Sequence, residues 1–400
     1  MSYYKYLIIG GGMTADAAVR GIREVDAQGA VGLIGAEPDP PYNRPPLTKG
    51  LWKGKSLESI GRQTESQGVQ LHLGHAVKTL NPNDKRVTDE QGNAYEFDKL
   101  LLATGGTPRR LPFGGEHVIY FRSVADYRRL RTLTEQRREF VVIGGGFIGS
   151  EIAAALAMNN QQVTMAFLDE AIGGRVFPRD LSLYLNDYYR QKGVQVLPGQ
   201  SVAGIEVRGK RVTVKTRSAQ DSSEREIVAD AVVAGLGIQP NVELAQSAGL
   251  TVENGIVVDE FLRTSHPDIY AAGDVAAFYN PALGKRIRVE HEDNANTMGQ
   301  FAGRIMAGKS APYHHLPFFY SDLFELGYEA VGELDSRLET VIDWKEPNRK
   351  GVIYYLQNGR VRGVLLWDVW KQLNAARRLI ADSGPFKPSD LMGRLPEKKS

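Results

Sequence analysis

Twice in this chain an apolar strand runs into three glycines and then into a helix of small residues. The first copy is Tyr6–Ile9, Gly10-Gly11-Gly12, a helix from Thr14 to about Glu24, and a second strand Ala30–Gly35 that ends at Glu37. The second is Phe140–Ile143, Gly144-Gly145-Gly146, a helix Ser150–Met158, and a strand Val163–Phe167 with Asp169 just beyond. One such loop means little with 43 glycines among 400 residues. Three fixed glycines recur by chance roughly 0.0012 times per window, or about half a match over the chain. Repetition of the whole arrangement supplies the specificity. In G-x-G-x-x-G the first glycine makes the turn and the second lets the backbone approach a pyrophosphate. The third position, Ala15 in copy one and Gly149 in copy two, allows close helix–strand packing. Free N–H groups and the positive helix end hold phosphate charge. The following acid accepts hydrogen bonds from ribose hydroxyls. The bland alternative is a pair of tight turns in empty α/β domains.

Two repeated units of this kind point to two parallel-sheet α/β domains. Between them lie a Pro-rich loop (Pro38, Pro40, Pro41, Pro45, Pro46), a strand Lys99–Ala103 and a basic helix Ser123–Thr134. Ser218–Glu226 reads as a polar loop and Asp230–Ala234 as a strand. The last third changes character. Tyr328–Glu333, Glu339–Trp344, Gly351–Gln357 and Arg360–Trp367 read as an antiparallel meander, with the hairpin signal Asn358-Gly359 between the last two. A helix, about Val369–Ala381, and a polar tail ending EKKS follow.

Composition narrows the chemistry. Charges nearly balance, 49 basic against 47 acidic for a net +2, so no field favours nucleic acid, and no Lys/Arg stripe replaces it. There are no cysteines, which removes disulfides, thiol nucleophiles and Cys-ligated metal; no metal site is expected. The first strand begins so early that a leader peptide has no room, and no apolar run reaches 18 residues. The expectation is a cytoplasmic protein without a membrane span. Two dinucleotides on one chain are most simply a device for passing hydride between them. Without cysteine the electrons must rest on a bound group, and a flavin is expected.

Three further segments carry a resemblance. They are Pro41-Tyr42-Asn43-Arg44-Pro45-Pro46-Leu47-Thr48-Lys49, Ala103-Thr104-Gly105-Gly106-Thr107-Pro108-Arg109 and Tyr270-Ala271-Ala272-Gly273-Asp274. They are similar to motifs of the FAD-dependent pyridine-nucleotide oxidoreductases. Within that group Arg288-Val289-Glu290-His291-Glu292-Asp293, Phe319-Tyr320-Ser321-Asp322-Leu323 and Gly327–Gly332 resemble the bacterial ferredoxin reductases and, more closely, the apoptosis-inducing-factor-like proteins. The resemblance implies an α/β fold: two Rossmann-like, three-layer dinucleotide-binding domains plus a C-terminal α+β interface domain. The expected boundaries are 1–113 with 250–312 for FAD, 114–249 for NAD(P)H, meaning NADH or NADPH, and 313–400 for the interface domain. By match Gly10, Gly12, Ala15 and Glu37 hold the FAD pyrophosphate and adenosine ribose. Arg44 and Lys49 reach the pyrophosphate and flavin, Thr104 and Gly105 line the adenine side, and Gly273 and Asp274 meet the ribityl or pyrophosphate region. Gly144, Gly146, Gly149 and Asp169 cradle NADH.

The resemblance also implies a catalytic pair. Lys49 beside flavin N5 favours the reduced, anionic flavin, and Glu151 keeps that charge from being left unpaired. Phe147 is a candidate shield over the flavin face. Glu290 and His291 are candidates for contacts to nicotinamide or the flavin edge, and Tyr320 for stacking or for sealing the interface domain. Departures from the family pattern count too. The redox cysteine pair is missing, and many relatives carry the ribose acid where this chain has Phe167, so either Asp169 or Glu170 is the candidate. An acid there argues for NADH, while Arg175 would tolerate NADPH. The leading expectation is an NADH oxidoreductase that passes electrons from FAD to a ferredoxin-like or quinone-like acceptor. The competing class is a redox sensor with a long-lived reduced flavin–NAD complex, and a third is an H₂O₂-forming oxidase. Arg128, Arg129, Arg131, Arg137 and Arg138 are candidates for docking an acidic carrier. A homodimer is compatible with the sequence, which does not fix the oligomer.

Overall fold

A computed structural model describes residues 2–395; the EKKS tail lies outside the described residues. The chain divides into two compact units, each built from three separate segments. One comprises Met1–Pro45, Ser56–Thr107 and Gln239–Phe318; the other comprises Pro46–Lys55, Pro108–Ile238 and Phe319–Ser400.

The first unit is organised by the strand Ser2–Ile9, which lies in parallel between Val31–Gly35 and Ala94–Leu102. Gln70–Leu73 extends the sheet beyond Val31–Gly35, and Ile269–Ala271 adds a parallel strand against Leu100–Leu102. Leu7, Ile8, Leu33 and Leu100–Leu102 are buried on both faces, as an interior parallel sheet requires. The helix Met13–Arg23 packs on Glu292–Met306 through glycines. A Cβ on Gly303 would stand 2.0 Å from the Ala18 carbonyl oxygen, and one on Gly299 would stand 2.4 Å from that of Thr14. Asp16, fully buried in this helix, accepts hydrogen bonds from Arg20, Arg62 and Thr64. Burial works to raise its pKa, and these donors outweigh it, so the carboxyl titrates below its ordinary value.

The second unit holds a five-stranded parallel sheet, ordered Gln195–Leu197, Gln162–Ala166, Glu139–Ile143, Ala231–Ala234, Val118–Tyr120. The basic helix runs Val124–Gln136 and opens with a capping box between Ser123 and Asp126. The polar loop expected at Ser218–Glu226 is present at 219–223, where it joins two strands of an antiparallel sheet, Gln200–Arg208, Arg211–Ser218 and Glu224–Ala229; only the ends of the expected loop belong to strands. The sheet's charges face one another across strands: Lys215 pairs with Glu206, and Arg217 lies 2.7 Å from Glu224. Cross-strand charge pairs suit an exposed sheet face, so the strand ends beside the turn are as polar as the turn itself.

The C-terminal strands also differ from a simple meander. Their order is Phe318–Leu323, Leu326–Gly332, Arg360–Trp367, Lys350–Gln357, Glu339–Glu346. The expected hairpin is present, with Asn358 at φ 53° and Gly359 at φ 72° in its turn. Leu326–Gly332 pairs with Arg360–Trp367 rather than with Glu339–Glu346, the strand that follows it in sequence, and Phe318–Leu323 takes the edge. The closing helix begins at Leu373, four residues later than its apolar pattern indicates. Among the described residues no helix is long and apolar enough to cross a membrane.

Candidate active site

Both glycine loops meet the same demands at their first two glycines and differ at the third position. Gly10 has φ +128° and Gly144 φ +113°, and a Cβ would stand 2.1 Å from the Ala103 oxygen or 2.4 Å from the Gly235 oxygen. No side chain fits there, so the tight turn needs glycine. A Cβ added at Gly12 or Gly146 would meet nothing within 4 Å. Each is the N-cap of its helix, with no side-chain cap bond. Uncapped N–H groups facing open space fit a pyrophosphate. At the third position Gly149 lies so close to its strand that a Cβ would be 2.0 Å from the Gly144 oxygen, whereas copy one accommodates the buried methyl of Ala15.

In the first unit Glu37 follows its strand and is held by Tyr42, whose hydroxyl donates at 2.6 Å, and by Arg44. The Arg44 guanidinium lies 5.0 Å from the Tyr42 ring centre. Burial works against its charge, but Tyr42, Glu37 and Asp274 outweigh burial and raise its pKa. Glu37, Arg44 and Asp274 thus share one electrostatic neighbourhood. Thr104 donates to the Asn241 carbonyl at 2.8 Å, and Gly105 accepts from the Asn241 amide at 3.0 Å. Gly273 has φ +79°, and a Cβ would meet the Thr14 hydroxyl at 2.3 Å. Glu290 is exposed and paired with Arg288 at 2.7 Å. His291 occupies the N-cap position of the helix Glu292–Met306 without a side-chain cap bond. Burial pushes its imidazole down to about 4, against the opposite pull of Asp274 and Asp293.

The second unit brings Lys49 and Glu151 together. Lys49 Nζ lies 2.7 Å from Glu151 Oε1, with the side chains 13% and 4% exposed. Lys49 precedes the short turn Gly50–Lys53, and Glu151 sits one turn into the helix Phe147–Met158. Two hydroxyls to which the sequence motifs assign no role complete the carboxylate's shell. Thr48 donates to Oε2 at 2.5 Å and Ser321 to Oε1 at 2.5 Å. The Tyr320 ring centre lies 5.4 Å from Lys49 Nζ, a cation–π distance. Phe147 packs on Phe319 with ring centres 5.2 Å apart.

At the second ribose position Phe167 is buried and fills the space against Gly145. Asp169 is bonded to Arg175 at 3.1 Å, and Glu170 to Arg179. The basic helix does not present a free row of charges. Arg129 donates to the Glu116 carbonyl, Arg131 to Asn159 while lying over Trp52, and Arg137 to the Asp230 carbonyl. Three of the five arginines that are candidates for docking therefore bond within the unit itself.

Comparisons with known proteins agree with this geometry. Residues 4–299 match the family described as pyridine nucleotide-disulphide oxidoreductase. Residues 302–349 and 342–382 match the C-terminal domain described for mitochondrion-associated apoptosis-inducing factor. Putidaredoxin reductase of Pseudomonas putida is 32% identical over 394 residues, covering 96% of this chain and 93% of its own. Mitochondrial apoptosis-inducing factor 1 of Dictyostelium discoideum is 34% identical, covering 94% of this chain and 78% of its own. Among solved structures, the covalent putidaredoxin reductase–putidaredoxin complex superposes with a TM-score of 0.88 at 31% identity, covering 97% of this chain and 95% of that one. The chain belongs to the pyridine nucleotide-disulphide oxidoreductase family and is an FAD-dependent NAD(P)H oxidoreductase of the ferredoxin-reductase kind, without a cysteine from which to build a redox disulfide.

Proposed function

We propose that this protein takes hydride from NADH and delivers the electrons one at a time to a small ferredoxin-like protein. The observation that carries the reading is the buried Lys49–Glu151 pair in a chain with no cysteine. FAD, when bound, accepts two electrons together and releases them singly. The rest falls to the chain's own residues. Gly10, Gly12 and Ala15 hold the FAD pyrophosphate on the helix Met13–Arg23, with Glu37 at the ribose and Arg44, Thr104, Gly105, Gly273 and Asp274 around the cofactor. Gly144, Gly146 and Gly149 do the same for NADH, with Asp169 at its ribose. The FAD-binding domain is then 1–113 with 250–312, the NADH-binding domain 114–249, and the remainder an interface domain.

Lys49 offsets the negative charge that arrives with the hydride, and Glu151 keeps the lysine charged and in place. Tyr320 shields the ammonium from water. Phe147, packed on Phe319, would shield a bound flavin, and Glu290 and His291 would contact bound nicotinamide or flavin. Glu37 is engaged by Arg44 and Tyr42, so it reads as a ribose acceptor that is already oriented. NADPH is a second donor, since Arg175 and Arg179 stand beside the two acids that would otherwise repel a 2′-phosphate. The proposed location of the reductase is the cytoplasm.

Anaerobic stopped-flow reduction by NADH, followed by turnover with an acidic ferredoxin, tests the proposal. Fast bleaching and fast reoxidation are expected, and Lys49→Ala slows the bleaching. Slow bleaching that leaves a persistent long-wavelength absorbance would favour the redox-sensor class instead. An unchanged rate in Lys49→Ala would remove the pair from the mechanism.

A further inference from the structure

A carboxylate taken out of water is costly unless donors replace the water. Glu151 is buried and has three donors, divided between its two oxygens. Lys49 and Ser321 share Oε1, and Thr48 holds Oε2. Thr48 and Ser321 are themselves 6% and 2% exposed. Each hydroxyl carries one proton, and both protons go to this carboxylate. The Tyr328 phenol lies in the electrostatic neighbourhood of Ser321 and Glu151.

Tyr328 is fixed in turn. Its ring stacks on Trp367 with centres 5.4 Å apart and meets Phe177 edge-on at 5.3 Å. Burial, reinforced by the charge of Glu151, holds its phenol well above the ordinary range, so it stays neutral. Hydrogen bonds therefore run from Ser321, on a strand of the C-terminal sheet, through Glu151 to Lys49. Neighbouring residues of the strand Phe318–Leu323 hold both members of the ion pair: Tyr320 lies over the ammonium and Ser321 on the carboxylate.

We propose that Thr48 and Ser321 are positioning residues that clamp both oxygens of Glu151, so that Oε1 fixes the Lys49 ammonium for the hydride step. The terminal torsion of a glutamate is broad, and a lysine has four rotatable bonds; one ion pair alone leaves both free to swing. The two hydroxyls remove the rotation of the carboxylate, and the carboxylate then orders the lysine. This rests on the flavin reading above.

The test uses the flavin-loaded protein with Thr48→Val, Thr48→Ser, Ser321→Ala and Glu151→Gln. Flavin content, the midpoint potential of the bound flavin, and limiting rate and KM for NADH are read on each. Thr48→Val and Ser321→Ala are expected to retain full flavin and shift the potential in the negative direction. Their limiting rate should fall about tenfold, the factor set by one hydrogen bond to a charged group, with little change in KM. Thr48→Ser, which keeps the hydroxyl, restores most of the rate. On the Glu151→Gln background either hydroxyl deletion adds little, because the clamp has lost its object. Parental potential and rate in flavin-replete Thr48→Val and Ser321→Ala would overturn the proposal, as would full additivity with Glu151→Gln. If Ser321→Ala does not fold, Thr48→Val against Thr48→Ser decides the matter. Failure of the parent protein to bind FAD would sink the flavin reading instead.

Discussion

Gly144 and Gly146 stand two residues apart in one loop, and the structure assigns them opposite vulnerabilities. Gly144→Ala would force a side chain into φ +113° and bring its Cβ to 2.4 Å from the Gly235 oxygen. Backbone strain of about 1–3 kcal/mol and overpacking of about 1–3 kcal/mol together give a loss of roughly 2–6 kcal/mol. Melting should drop by more than about 4 °C, using roughly 2–4 °C per kcal/mol for a domain of this size. Gly146→Ala meets no atom within 4 Å, and its φ of −85° suits any residue. Poorer N-capping by alanine and reduced freedom of the unfolded chain nearly cancel, so stability should change by less than about 1 kcal/mol. Its methyl would instead occupy the space assigned to the NADH pyrophosphate. Loss of even one charge-assisted hydrogen bond there, about 1.5–3 kcal/mol, raises the Kd for NADH at least about tenfold. The second loop is the better choice for this pair, because a variant of the first that lost FAD would also lose the stability that binding confers. Differential scanning fluorimetry and calorimetric titration with NADH read the two effects separately. Parental affinity in Gly146→Ala, or parental melting in Gly144→Ala, would refute the assignment of turn and cradle to these positions.

Two further outcomes follow from side chains outside the loops. Because burial holds His291 down at about 4 in the folded protein, the unfolded chain binds the extra proton between roughly pH 6.5 and 4. Stability of the FAD-free protein should therefore fall as pH drops through that window, by an amount of order 3 kcal/mol at most. Urea midpoints across pH 4–7 should show the slope in the parent and lose it in His291→Gln; an equal slope in both would assign it elsewhere. Arg137→Glu should lower the melting temperature by breaking the bond to the Asp230 carbonyl and leave the salt dependence of ferredoxin turnover as it was. A flattened salt dependence at unchanged stability would restore the docking role to that helix.

The parts of the site visible in the sequence were those where backbone geometry leaves no choice of residue. Gly10 and Gly144 could be read because a positive φ beside a carbonyl admits glycine and little else. Asn358-Gly359 was legible for the same reason. Lys49 and Glu151 could not be joined by spacing, being about a hundred residues apart, and the resemblance alone suggested the pair. Thr48 and Ser321 stayed invisible as functional groups because a hydroxyl has no sequence signature until its acceptor is known; Ser321 is 170 residues from Glu151. The loop at Ser218–Glu226 was legible but its ends were not, because the flanking strand ends pair charge with charge and are as polar as the turn. The C-terminal strand order was hidden because local patterning marks strands, whereas Leu326–Gly332 chooses a partner from across the sheet.

The strand Ile269–Ala271 has a consequence for biosynthesis. Its partner residues, Leu100–Leu102, emerge from the ribosome long before it does. At about 5–20 residues per second the wait is roughly 8–33 s. Through that interval the nascent first unit carries an apolar, unpaired strand edge, the kind of surface on which chains join one another. Its yield in a cell is therefore set as much by what shelters that edge during synthesis as by the stability of the finished molecule.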